Sequence, residues 1–342
     1  MPKVLICSYL EPEHVVRIRA VDPRLEVLYH PELLPKPRYA ADHVGAPLER
    51  TPEEQARWEA LLGEAEILFD FDYTGTKELP ERAKKVRWIQ ASSAGIGQFV
   101  RRQNYGRMNA TFTTASGVHA RPLAEFVLMI MLEQVKQASL ARKQQEERLW
   151  KRFATEELTG KTLAIVGLGN IGREIARLAR AFEMRVIANK RHLDGQTAEL
   201  FGIDRLFAWD ELYPMLSQAD FVCLITPHTP ETEGLINKAA FAAMKPGATL
   251  INIARGAVVV EADLLEALDS GHLAHAALDV AAVEPLPPGN PLWAHPEVTI
   301  YPHSASTSAF ENARLTELFC QNLRRYLDGE PLLNQLDLER MY

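Results

Sequence analysis

Short runs of consecutive apolar residues, separated by polar segments carrying glycine and proline, recur along the chain. Val4 to Cys7, Leu25 to Tyr29, Ile67 to Phe71 and Val86 to Gln90 read as strands. They are apolar on both faces, and the intervals between them are long enough for crossover helices. The rhythm resumes with the run beginning at Leu163, then Arg185 to Ala188, Phe221 to Ile225, Thr249 to Ile253, His275 to Val280 and Val298 to Tyr301. Uninterrupted apolar runs, as opposed to alternating ones, belong to parallel sheets covered on both sides, so the class is α/β. From Pro122 to Trp150 the period becomes helical. Leu123, Phe126, Val127, Ile130, Met131 and Val135 make an apolar stripe, followed by a charged stretch from Arg142 to Arg148. We expect one long helix there. The interval Pro31 to Pro52 breaks the rhythm and reads as an irregular surface connection without identifiable chemistry.

A chain of 342 residues is too long for a single core, which adds a second domain to the expectation. The formal net charge of −7 argues against nucleic acid as a partner, since that needs a basic face or stripe. No apolar stretch reaches the roughly 18 residues of a membrane span. The start, Met-Pro-Lys-Val-Leu-Ile-Cys, runs straight into a strand without a secretory pattern, so a cytoplasmic location is expected. Cys7, Cys223 and Cys320 are odd in number, scattered and set among apolar neighbours. They read as buried free thiols, with no disulfide and no metal centre.

Chemistry enters at Leu163 to Gly172, Leu-Ala-Ile-Val-Gly-Leu-Gly-Asn-Ile-Gly, where a strand feeds three glycines at G-x-G-x-x-G spacing and a helix opens. Gly167 permits a tight turn, Gly169 lets a pyrophosphate approach backbone N–H groups, and Gly172 packs the helix on the strand. A glycine turn with no ligand is the alternative; the strand, turn and helix context favours a dinucleotide. At the end of the following strand, where NAD-binding folds usually place an acid, stands Asn189-Lys190-Arg191-His192. Two cations suit the 2′-phosphate of NADP, so NADP is the favoured cofactor and NAD the second possibility. Ser93-Ala94-Gly95-Ile96 follows another strand and fits either an ordinary loop or a cradle of N–H groups for a carboxylate. Arg255, Glu284 and His303 each lie just beyond a separate strand of the second half. Together they are the parts of a carbonyl reduction: a cation for the carboxylate, an acid–base, and a carboxylate that tunes it.

With these residues the chain resembles the D-isomer-specific 2-hydroxyacid dehydrogenase family. Gly167 to Gly172, Asn-Ile-Ala-Arg-Gly at 252 to 256, Leu-Asp-Val-Ala-Ala-Val-Glu-Pro at 278 to 285 and Tyr-Pro-His-Ser-Ala at 301 to 305 carry the resemblance. Leu-Thr-Gly-Lys-Thr at 158 to 162, Thr-Pro-Glu-Thr-Glu-Gly-Leu-Ile-Asn at 229 to 237 and Gly-Glu-Pro-Leu-Leu-Asn at 329 to 334 add to it. The resemblance implies a doubly wound Rossmann cofactor domain (117–306) inserted in a smaller flavodoxin-like α/β substrate domain (1–116 plus 307–342). It implies that Arg255 binds the substrate carboxylate, that His303 is the acid–base, and that Glu284 hydrogen-bonds the other ring nitrogen and favours the imidazolium. Ser93, Ala94, Gly95 and Ile96 would bind the carboxylate through backbone amides. Asn170 and Ile171, with Gly167, Gly169 and Gly172, would meet the pyrophosphate. Asn189, Lys190 and Arg191 fall to the adenosine ribose; Thr226, Pro227, Thr232, Ile253, Ala254, Asp279, His303 and Ala305 would surround the ribose and nicotinamide.

Departures from the family pattern narrow the reading. The missing acid resembles the NADPH-dependent glyoxylate or hydroxypyruvate reductases, giving a small 2-keto or 2-hydroxy acid as substrate. Gly97 replaces a frequent Asp and Tyr301 a smaller residue, either of which reshapes the pocket mouth. Glu284 speaks against formate oxidation, which uses Gln, but leaves phosphite oxidation open. A corepressor-like nucleotide-binding protein on the same fold is the alternative from another class. A homodimer through the 122–150 region is expected. Trp150 either reaches a partner or is buried in its own chain, the latter being preferred.

Overall fold

The computed structural model describes residues 1–340. They form two compact units, residues 1–119 with 307–340, and Ala120–Ser306. The first carries the parallel sheet β2-β1-β3-β4-β5, formed by β1 (Lys3–Ile6), β2 (Glu26–Leu28), β3 (Ile67–Phe69), β4 (Trp88–Gln90) and β5 (Thr111–Thr113). This is the flavodoxin-like strand order. Successive residues point to opposite faces, so Leu5 enters one core and Val4 and Ile6 the other. The second of these cores is completed by the helix Glu311–Leu327, whose Phe319 packs 5.0 Å from Phe69 and 5.1 Å from Trp88.

The second unit carries a seven-stranded parallel sheet in the order β12-β11-β10-β9-β6-β7-β8. Its strands are β6 (Thr162–Val166), β7 (Arg185–Asn189), β8 (Arg205–Phe207), β9 (Phe221–Leu224), β10 (Ala248–Asn252), β11 (Leu273–Leu278) and β12 (Val298–Ile300). Leu163 and Ile165 face one core, Ala164 and Val166 the other, which explains why the sequence shows a continuous apolar run there. The winding reverses between β6 and β9, and a doubly wound sheet opens its ligand crevice at such a switch point. The apolar helix Ala120–Val135 covers one face of this sheet together with the strongly amphipathic helix Asn170–Ala181.

The expected single helix from Pro122 to Trp150 is two helices, Ala120–Val135 and Ala138–Glu146. Gln137 sits between them with φ +52°, a left-handed backbone that no glycine or proline announced. The second helix stops at Glu146, so Trp150 is not buried in its own chain: it is 99% exposed. The Pro31–Pro52 interval is irregular apart from one short helical turn, Pro31–Leu33, but it does carry chemistry, because it buries Asp42 and brings His43 beside Ser8 and Asp70. The three cysteines are buried and free. Among the described residues no helix is long and apolar enough to cross a membrane.

Candidate active site

The glycine turn follows β6 directly. Gly167 has φ +98°, and a Cβ there would lie 3.1 Å from the Thr226 methyl. A Cβ on Gly172 would come within 2.9 Å of the Gly167 carbonyl oxygen and 3.0 Å of Ile225. Packing therefore demands both glycines. A Cβ on Gly169 would meet nothing within 4 Å. Nothing in the fold requires a glycine there, whereas a pyrophosphate approaching the backbone does. Gly169 caps the helix Asn170–Ala181, whose N-terminus carries partial positive charge and suits an anion.

Around this turn the structure holds further polar atoms. Asn189, fully buried at the end of β7, accepts a hydrogen bond from the Gly167 N–H at 3.1 Å, so its side chain braces the turn. Thr226 Oγ1 is buried without a protein partner, an orphan that fits a ligand hydroxyl. Thr232 is also buried, but its hydroxyl donates to the Pro227 carbonyl at 2.7 Å and accepts from the Thr229 N–H at 2.8 Å, which shapes the loop. Ile253 and Ala254 are buried just after β10. Lys190 donates to Gln196 at 2.5 Å and lies 5.3 Å from the Phe201 ring centre; Arg191 is exposed and pairs with Glu231 at 2.7 Å. The glycine turn and the polar atoms around it fit a dinucleotide.

Arg255, Glu284 and His303 come from the loops after β10, β11 and β12. Buried Asn252 holds the first loop, accepting from the Ala254 N–H at 3.0 Å and donating to the Arg255 carbonyl at 3.3 Å. Gly256 brings this loop against the second: a Cβ on it would lie 1.9 Å from the Ala281 carbonyl carbon. The Arg255 guanidinium donates to the Ala254 carbonyl at 2.7 Å. Burial pushes its pKa down, opposed by the charges of Glu284 and Asp279.

Glu284 joins two of the three loops. One carboxylate oxygen accepts from the Ala281 N–H at 3.0 Å, and the other lies 2.8 Å from His303 Nδ1. Burial works to raise the pKa of this carboxyl. The His303 bond, the Ala281 N–H and the charges of His303 and Arg255 outweigh burial and hold it below the ordinary carboxylate range. Ionised Glu284 thus accepts the Nδ1 proton of His303 and leaves Nε2 for exchange.

His303 itself has φ +53°, and the residue responsible was not legible as a brace in the sequence. Asp279 accepts the His303 N–H on its backbone oxygen at 2.8 Å, and its carboxylate takes the N–H groups of Ser304 and Ala305 at 2.8 and 2.9 Å. Tyr301 packs edge-on against Phe126, ring centres 4.8 Å apart, as a core residue of the same unit. In the first unit, exposed Ser93 accepts the Gly95 N–H at 3.3 Å, and Ile96 caps the helix Gly97–Arg102. Asp70 stands behind this turn, accepting from the Ser92 N–H at 3.4 Å.

Comparison with known proteins places these features in context. Residues 128–305 match the model of the D-isomer specific 2-hydroxyacid dehydrogenase NAD binding domain. The crystal structure of a D-isomer specific 2-hydroxyacid dehydrogenase family protein from Aeromonas salmonicida is 31% identical, with TM-score 0.81, covering 98% of this chain and 99% of that one. A D-isomer specific 2-hydroxyacid dehydrogenase from Xanthobacter autotrophicus, solved in complex with NADPH and MES, is 27% identical, with TM-score 0.78 and coverage of 100% and 99%. D-3-phosphoglycerate dehydrogenase of Bacillus subtilis is 39% identical over 214 residues, 62% of this chain but only 39% of that enzyme.

Proposed function

The chain belongs to the D-isomer-specific 2-hydroxyacid dehydrogenase family, and from that membership we propose that it reduces small 2-keto acids of the glyoxylate or hydroxypyruvate kind with NADPH. The observation that carries the reading is the joining of Arg255, Glu284 and His303 by three loops at the carboxyl ends of adjacent strands. Arg255 binds the substrate carboxylate and polarises the keto group. His303 Nε2 gives its proton to the keto oxygen in reduction and removes it in oxidation. Glu284, ionised and bonded at Nδ1, fixes the orientation of the ring. The cofactor, when bound, would supply hydride chemistry at the carbonyl carbon. Ser93 to Ile96 contribute backbone N–H groups for a carboxylate.

The unit Ala120–Ser306 serves as cofactor domain and the discontinuous unit as substrate domain. Lys190 and Arg191, in place of an acid after β7, support NADP over NAD, and the Xanthobacter relative was solved with NADPH. The exposed run Leu149, Trp150 and Phe153 supports a homodimer through the end of the 122–150 region. We place the enzyme in the cytoplasm.

The test is consumption of NADPH and NADH, followed at about 340 nm, with glyoxylate, hydroxypyruvate, 3-phosphohydroxypyruvate and pyruvate, and of NADP and NAD with phosphite. Turnover of a small 2-keto acid with NADPH is expected. Turnover of phosphite alone, or of nothing, overturns the reading; a clear NADH preference overturns the cofactor assignment.

A further inference from the structure

Of the two cations at the end of β7, Lys190 has neutral partners, the Gln196 amide and the Phe201 ring, but Arg191 has an anionic one. Glu231, in the loop after β9, accepts from the Arg191 guanidinium at 2.7 Å through one oxygen. Its other oxygen accepts from the Thr229 hydroxyl at 2.8 Å, so the carboxylate is aimed and not adrift. The loop is itself fixed by Thr232, through its bonds to Pro227 and Thr229. The Thr229 hydroxyl most, then the backbone N–H of Glu231 itself and the Arg191 guanidinium, hold the Glu231 carboxyl below its ordinary range. An ionised carboxylate thus stands on the guanidinium that a ribose 2′-phosphate would use.

We propose that Glu231 is a specificity-determining residue that competes with the 2′-phosphate of NADP(H) for Arg191 and so moderates the preference over NAD(H). This rests on the NADP reading above. The phosphate must displace the carboxylate from the guanidinium and then remain beside it, a release and a like-charge contact that a ribose hydroxyl does not incur. NAD(H) leaves the pair closed. The pair is solvent-exposed, so the effect is modest and screened by salt.

Dissociation constants of NADPH and NADH, measured calorimetrically on the full chain without substrate, test this. Glu231→Gln keeps an acceptor for Thr229 and removes the charge. It is expected to tighten NADPH about three- to tenfold and to leave NADH within about twofold. The gain disappears in an Arg191→Ala background and shrinks between about 0.05 and 0.5 M salt. Arg191→Ala alone weakens NADPH and spares NADH. If Glu231→Gln leaves the NADPH to NADH ratio unchanged while Arg191→Ala lowers it, the competition is refuted and the NADP reading stands. If Arg191→Ala does not change the ratio, the NADP reading and the competition fall together.

Discussion

His303 occupies a left-handed backbone well that only a few per cent of non-glycine residues adopt, histidine more readily than most. Asp279 holds it there, through one backbone bond and two bonds to the following N–H groups. His303→Ala is expected to lower kcat by about 10²- to 10⁴-fold, with the substrate KM within a few-fold; unchanged kinetics would remove the acid–base assignment. Asp279→Ala leaves the imidazole in place chemically but loosens its loop, so kcat falls while the affinity for the cofactor's pyrophosphate half is retained. The glycines divide in the same manner. Because nothing beyond its chain neighbours and its own helix backbone lies within 4 Å of an added methyl, Gly169→Ala is expected to change folding stability by less than about 1 kcal/mol yet to weaken dinucleotide binding, the methyl standing where the pyrophosphate approaches. Gly256→Ala drives a methyl into the Ala281 backbone and is expected to cost about 3 kcal/mol or more in denaturant unfolding.

At the scale of elements, the long parallel strands were legible because each is apolar on both faces. β5 and β8 were not: Thr-Phe-Thr and Arg-Leu-Phe each offer too little apolar length to stand out. The break at Gln137 carried no glycine or proline signal. Arg255, Glu284 and His303 could be picked out by their place after strands, but the part played by Asp279 depends on backbone bonds that spacing does not reveal. The helix Glu311–Leu327 adds a second instance of hidden chemistry. Its buried first residue, Glu311, lies 3.2 Å from His119 and 3.7 Å from His43, and His43 also faces Ser8 and Asp70, with Asp42 nearby. Burial would raise the Glu311 carboxyl, but the two histidines overcome it and bring it down to about 2. A depressed carboxyl stabilises the fold above its unfolded value and loses that contribution as the pH falls through the folded one. Between about pH 4.5 and 2 the protein is therefore expected to lose on the order of 3 kcal/mol through this group. Glu311→Gln should flatten that acid limb in a pH series of thermal melts; an unaltered limb would mean that the cluster contributes nothing.

For the molecule as a whole, the division into a continuous and a discontinuous unit was implied by the family pattern, while the exposure of Trp150 ran against expectation. The expected helix would have carried Trp150 on a packed face; the chain leaves the helix at Glu146 and presents the indole to solvent. A large aromatic exposed beside Leu149 and Phe153 suits an anchor buried by a second copy. Trp150→Glu is expected to shift the protein from dimer to monomer in light scattering. A wild-type monomer would overturn the homodimer, and a variant that remains fully dimeric would move the interface elsewhere.

The same discontinuity bears on synthesis at the ribosome. Residues 120–306 are contiguous and can collapse on their own sheet as soon as they emerge. The first unit cannot: Val4, Ile6, Phe69 and Trp88 present an apolar sheet face, and part of its cover, Leu315, Phe319 and Leu323, is translated only after residues 120–306. While residues 120–306 are being made, the sheet of the first unit is thus a half-built layer, dependent on a later helix or on a chaperone to shield it. Release of a chain truncated before Glu311 should yield an insoluble product, with the helix Glu311–Leu327, not the loops after β10, β11 and β12, deciding whether the polypeptide survives its own production.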